Sequence, residues 1–111
     1  DLLDKIKKDI SALYLWSITA RQFKFEKLEE FKSLKYIWLN GFSGNFDFKD
    51  LSLLKNLEEI TITSFSGFKN IEVLSDLRNL KSLTLSSVSG DLKIKLTEIL
   101  SPKVTEIELR T

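Results

Sequence analysis

One phrase, apolar-x-x-apolar-x-apolar, occurs five times along the chain, as Ile10–Leu15, Leu34–Leu39, Leu57–Ile62, Leu80–Leu85 and Val104–Leu109. The copies start 24, 23, 23 and 24 residues apart. Self-similarity at such a period is the mark of a solenoid, in which no single turn can bury its apolar side but a stack can. Apolar residues two apart at the end of each phrase predict a short strand with one inward face.

A turn follows each strand: Phe42-Ser43-Gly44, Phe65-Ser66-Gly67 and Val88-Ser89-Gly90, with Ile18-Thr19-Ala20 in the first copy. A glycine returning at one place predicts an unusual backbone conformation or a close approach between neighbours. The apolar residue before it is expected to turn inward, and the hydroxyl to bond backbone groups of the next turn. The return path is marked by Phe23, Phe25, Leu28 and Phe31, then Phe46, Phe48, Leu51 and Leu54, then Ile71, Leu74 and Leu77, and finally Leu92, Ile94, Leu96, Ile99 and Leu100. Spacings of three and four predict helical turns near 49–56, 70–78 and 95–101. Asp47 or Asp50 and Asn70 suit their N-caps, and Pro102 stops the last one. Residues 1–9 carry Leu2, Leu3 and Ile6 on one helical face and predict a cap over the open end, leaving 10–111 as the repeat domain.

Leu-x-x-Ile-x-Leu followed by a turn, every 23 or 24 residues over 10–109, resembles the leucine-rich repeat superfamily. The resemblance implies an α/β fold, a right-handed β-α superhelix with a parallel sheet on its concave face and short helices or turns on its convex face. The chain departs from the family three residues after the last strand position. Ile18, Phe42, Phe65 and Val88 stand where the family usually has the Asn or Cys of its turn ladder, so an apolar stack is expected to replace that ladder and the subclass stays open.

Alternation along the strands sends the residues between the apolar ones outward. Three outward columns result: Ala12, Tyr36, Glu59, Ser82 and Glu106; Tyr14, Trp38, Thr61, Thr84 and Glu108; Trp16, Asn40, Thr63, Ser86 and Arg110. Both Trp and both Tyr fall in these columns, while all eight Phe fall elsewhere. Core filling alone does not sort aromatics this way, and Trp and Tyr are the types enriched at interfaces. Tyr14, Trp16, Tyr36 and Trp38 are therefore the expected anchors of a partner-binding patch, with Asn40, Glu59, Thr61 and Thr84 beside them. Glu106, Glu108 and Arg110 read as a charged edge strand that discourages end-to-end pairing. Ile107 and Leu109 of that strand are expected to be under-covered.

Composition narrows the chemistry. With 111 residues, 42% of them hydrophobic and 30% charged, the chain suits one folded domain. A net charge of +1 gives no reason to expect nucleic acid, and no apolar run reaches bilayer length, so no membrane insertion is expected. Absence of Cys excludes disulfides and leans toward a cytoplasmic or bacterial setting. A chain that opens on Asp1 with no Met is expected to have had more sequence upstream, and a removed leader would place it outside a bacterial cell. Without His or Cys, and without a phosphate-binding glycine pattern, an enzyme, a cofactor or a metal is not expected. Asp47 and Asp50 fit helix capping better than a catalytic pair.

The expected function is a protein-protein interaction module that takes a protein or peptide on the concave face. The alternatives are self-association, through that face or the open C-terminal end, and an inhibitor-type, immunity-like protein that masks a partner's active site. Carbohydrate binding is disfavoured, because Asn40 and Glu59 are the only amide and carboxylate suited to holding a sugar beside the rings.

Overall fold

The computed structural model describes residues 9–19 and 30–110, the side chains of 17–19, 42 and 43 excepted. The expected cap over 1–9 (Asp9 apart), Phe23, Phe25 and Leu28, and the side chains of Ile18 and Phe42 lie outside the described set.

The chain is α/β. Its strands are β1 Ala12–Thr19, β2 Tyr36–Ser43, β3 Asn45–Asp47, β4 Glu59–Thr63, β5 Gly67–Lys69, β6 Ser82–Leu85 and β7 Glu106–Leu109. Five of them form one sheet in the order β1-β2-β4-β6-β7, and every neighbouring pair is parallel. Each of the five begins two residues into a copy of the phrase. Parallel pairing needs a crossover of a dozen residues or more, which a period of 23 or 24 supplies.

Register joins like positions. Ala12, Tyr36, Glu59, Ser82 and Glu106 run side by side across the sheet, as do Leu13, Ile37, Ile60, Leu83 and Ile107. A one-residue slip would exchange the two faces, so the apolar face holds this register. The apolar positions of the phrase supply ten of the twenty buried apolar residues among those described: Leu34, Ile37, Leu39, Leu57, Ile60, Ile62, Leu80, Leu83, Leu85 and Val104. Coverage fades at β7, where Ile107 is 44% exposed and Leu109 half-buried.

Across the core from this sheet, β3 and β5 pair in parallel, with Phe46 beside Phe68. The repeat pattern predicts tight turns followed by helical turns and no strand there, so this second ladder is an addition. Phe46 packs edge to face on Phe48 at 5.2 Å and on Phe65 at 5.5 Å between ring centroids. The expected inward turn residues Phe65 and Val88 are both buried. The glycines after them do not share one role. Gly44 has a φ of 83°, whereas Gly67 has no positive φ and a Cβ there would meet only the side chain of exposed Asn45, 2.9 Å from its Oδ1.

Helical turns follow at Phe48–Leu51 and Ile71–Asp76, both of the tight 3-10 type, and an α-helix, α1, spans Gly90–Ile99. The side chain of Asp47 caps the first by accepting from the Lys49 amide at 2.9 Å. Asn70 does not cap the second. It sits at φ 56° and donates its side-chain amide to Asp47 Oδ1 at 2.8 Å, tying one crossover to the next. Helix α1 starts five residues before the expected position, because Ser89 accepts from the Leu92 amide as its N-cap. Ile94 is exposed, contrary to expectation. Leu92, Leu96 and Ile99 lie four and three apart and make the inward face, and a residue two places after Leu92 points away from it.

Asparagine rungs do join the crossovers, at a place the family resemblance does not suggest. Asn56 donates to Lys32 O at 2.8 Å and Asn79 to Lys55 O at 2.9 Å, each bond reaching back 24 residues just before a strand. Among the described residues, no helix is long and apolar enough to cross a membrane.

Candidate interaction surface

The outer face of the five-stranded sheet gathers the aromatic residues that alternation assigned to it. Tyr14 pairs with Trp38 across β1 and β2, and Ala12 with Tyr36. Tyr14, Trp16, Tyr36 and Trp38 are 50, 59, 37 and 42% exposed, although each belongs to a strand whose alternate residues are buried or half-buried. Their rings touch. Tyr14 stacks on Trp16 at 6.1 Å and meets Trp38 edge to face at 5.5 Å, while Trp16 and Trp38 are 5.7 Å apart. Such ring pairs are worth roughly 0.5–1.5 kcal/mol beyond area burial.

Trp16 departs from the simple column. The β1–β2 register shifts after Leu15, and Trp16 is not paired with Asn40 as the alternation implied. The irregularity accompanies a Trp16 ring that leans onto both Tyr14 and Trp38. A bulge is a usual way to re-aim a side chain at the rim of a sheet.

Beside the cluster is a shallow cup of about 220 Å3 lined by Tyr14, Tyr36, Ile37, Trp38, Glu59 and Thr61. Ile37 was assigned wholly to the core, yet it also lines the cup. Thr84 pairs with Thr61 across β4 and β6 and extends the face beyond the cup. Asn40 pairs with Thr63 across β2 and β4. Its side-chain oxygen is buried without a hydrogen-bond partner among the described residues. A buried acceptor left unbonded by protein groups costs about 1–3 kcal/mol unless water reaches it.

The charges of the face are ordered too. Glu58 is bridged by Lys81 at 3.1 Å and Lys35 at 3.9 Å. The three stand at one position of the phrase, so this ladder was readable from the repeat. Exposed pairs of this kind contribute little stability, but they settle which acid has a partner. Glu108 is paired with Arg110 at 2.9 Å. Among the described residues Glu59, at the cup, has no ion pair and no basic residue lines the cup.

Comparison with protein-family models, with curated proteins and with solved structures finds no match to this chain.

Proposed function

We propose that the chain is a leucine-rich-repeat-type solenoid module that binds a protein or peptide on the concave outer face of its sheet. Tyr14, Trp16, Tyr36 and Trp38 are the anchors. Asn40, Glu59, Thr61 and Thr84 make polar contacts around them. The observation that carries this reading is the sorting of the rings. Four amphipathic aromatics stand partly exposed on one face, three of them in ring contact, while Phe46, Phe48 and Phe65 are fully buried. The repeated phrase and its in-register parallel strands support the solenoid. The cup is smaller than the ~300–1,000 Å3 usual for small-molecule sites, which favours recognition of side chains on a larger partner.

The test begins with a partner captured from the source organism and then purified. Trp38→Ala is expected to weaken its binding by about 2 kcal/mol, near thirtyfold, as for a hot-spot aromatic. Unfolding free energy should change by less than about 1 kcal/mol, the usual effect of a surface change. A variant that unfolds while its folded fraction binds normally would show the ring to be core.

One observation favours self-association as a second reading. Ile107 lies exposed on β7, the last strand of the sheet. Sedimentation at several concentrations distinguishes the two. A dimer that dissociates on replacing Trp16 and Trp38 supports self-association, and a monomer at all concentrations removes it.

A further inference from the structure

We propose that the cup on the sheet face receives an arginine side chain of the partner, held between the rings of Tyr14, Tyr36 and Trp38 and the carboxylate of Glu59. This rests on the interaction reading above and names the chemistry the face selects.

Among the described residues the lining joins three aromatic rings, two of them phenols, to Ile37, Thr61 and one acid, Glu59, and includes no base. Ring faces carry negative potential and attract cations, more strongly where water is thinned out. The acid is uncommitted. Glu58 next to it is bridged by Lys35 and Lys81 and Glu108 by Arg110, whereas Glu59 has no ion pair among the described residues. An anionic occupant would meet that carboxylate unrelieved, and a neutral one would leave it unanswered.

The size of the cup favours a single extended side chain. Tyr14 and Trp38 meet at an interplanar angle of 66°, and Trp16 contacts both of them without lining the cup. A volume of about 220 Å3 equals roughly seven waters at ~30 Å3 each, room for one long side chain and not for a folded peptide segment. A guanidinium stacks on rings while its remaining N–H groups stay free for a carboxylate, which a compact, strongly hydrated ammonium does less well.

The test uses two short peptides, acetyl-Gly-Ser-Arg-Ser-Gly-amide and its citrulline counterpart, which has nearly the same shape and no charge. Binding is followed by NMR from the ring resonances of Tyr14, Tyr36 and Trp38. The arginine peptide should shift all three saturably, and the citrulline peptide should bind at least threefold more weakly. Glu59→Gln should reduce arginine-peptide affinity about threefold to tenfold and flatten its salt dependence. Glu59 is exposed, so this variant should keep the parent melting temperature and separate charge from folding.

Equal binding of the two peptides, or no effect of Glu59→Gln, would overturn the arginine assignment. Shifts at Tyr14, Tyr36 and Trp38 with both peptides would still support an interaction face. If neither peptide moves those resonances, the arginine assignment fails. The interaction reading then fails as well if Trp38→Ala leaves affinity for the purified partner unchanged.

Discussion

Gly41 shows how tightly single residues are specified behind the sheet face. A Cβ added there would stand 2.6 Å from Phe65 Cζ and 2.8 Å from both Cε atoms. Phe65 cannot retreat, since it is buried and packs on Phe46, which in turn packs on Phe48. Gly41→Ala is therefore expected to cost about 1–3 kcal/mol by overpacking, measured by urea unfolding. Gly90 is the control. It opens α1, and a Cβ added to it would meet nothing within 4 Å, so Gly90→Ala should be neutral or stabilising by up to about 1 kcal/mol. Equal losses at both glycines would contradict the packing described for Phe65. The repeat made the turn glycines visible as a group. It could not separate their roles: Gly44 takes a positive φ, whereas Gly90 opens α1 with nothing near its Cβ position.

Among the elements, the five strands were legible in the sequence and the crossovers only in part. Strand alternation exposes one face and buries the other, so the phrase carries both position and register. A 3-10 turn leaves little periodicity to read, and the β3–β5 ladder depends on pairing between segments more than 20 residues apart. The early start of α1 follows from one hydroxyl, on Ser89. Asp47 joins two crossovers and gives them a pH dependence. Partial burial pushes its carboxyl up, but hydrogen bonds from Asn70 and the Lys49 amide, with the charges of Lys49 and Lys69, outweigh this and hold it below its ordinary value. A depressed carboxyl contributes stability above the unfolded-state pKa of about 3.9 and loses it as pH falls through the folded-state value. Asp47→Asn should thus be less stable than the parent near pH 6, and the gap should close toward pH 2. A gap that stays constant across urea titrations at several pH values would show that the charge of Asp47 is not involved.

In the molecule as a whole, fold and site were legible to different depths. Leu34, Ile37 and Leu39 carry the fold, and their equivalents recur in each copy of the phrase. Tyr36 and Trp38 depart from the later copies, which place Glu59, Thr61, Ser82 and Thr84 there. That departure located the face. The cup and the uncommitted state of Glu59 were not legible, because both depend on which neighbours the side chains reach: Glu58, one residue earlier, takes the lysines. The lean of Trp16 was hidden as well, since it accompanies a register shift between two strands.

Whether the aromatic face meets a partner is decided by hydroxyl-radical footprinting of the free and partner-bound protein, with Leu53 and Ile94, each 61% exposed away from the sheet face, as internal references. Trp16 and Trp38 should oxidise readily in the free chain and become protected in the complex, while Leu53 and Ile94 stay unchanged. Slow oxidation of both tryptophans in the free chain, or no added protection on binding, would contradict an interaction face built on these rings.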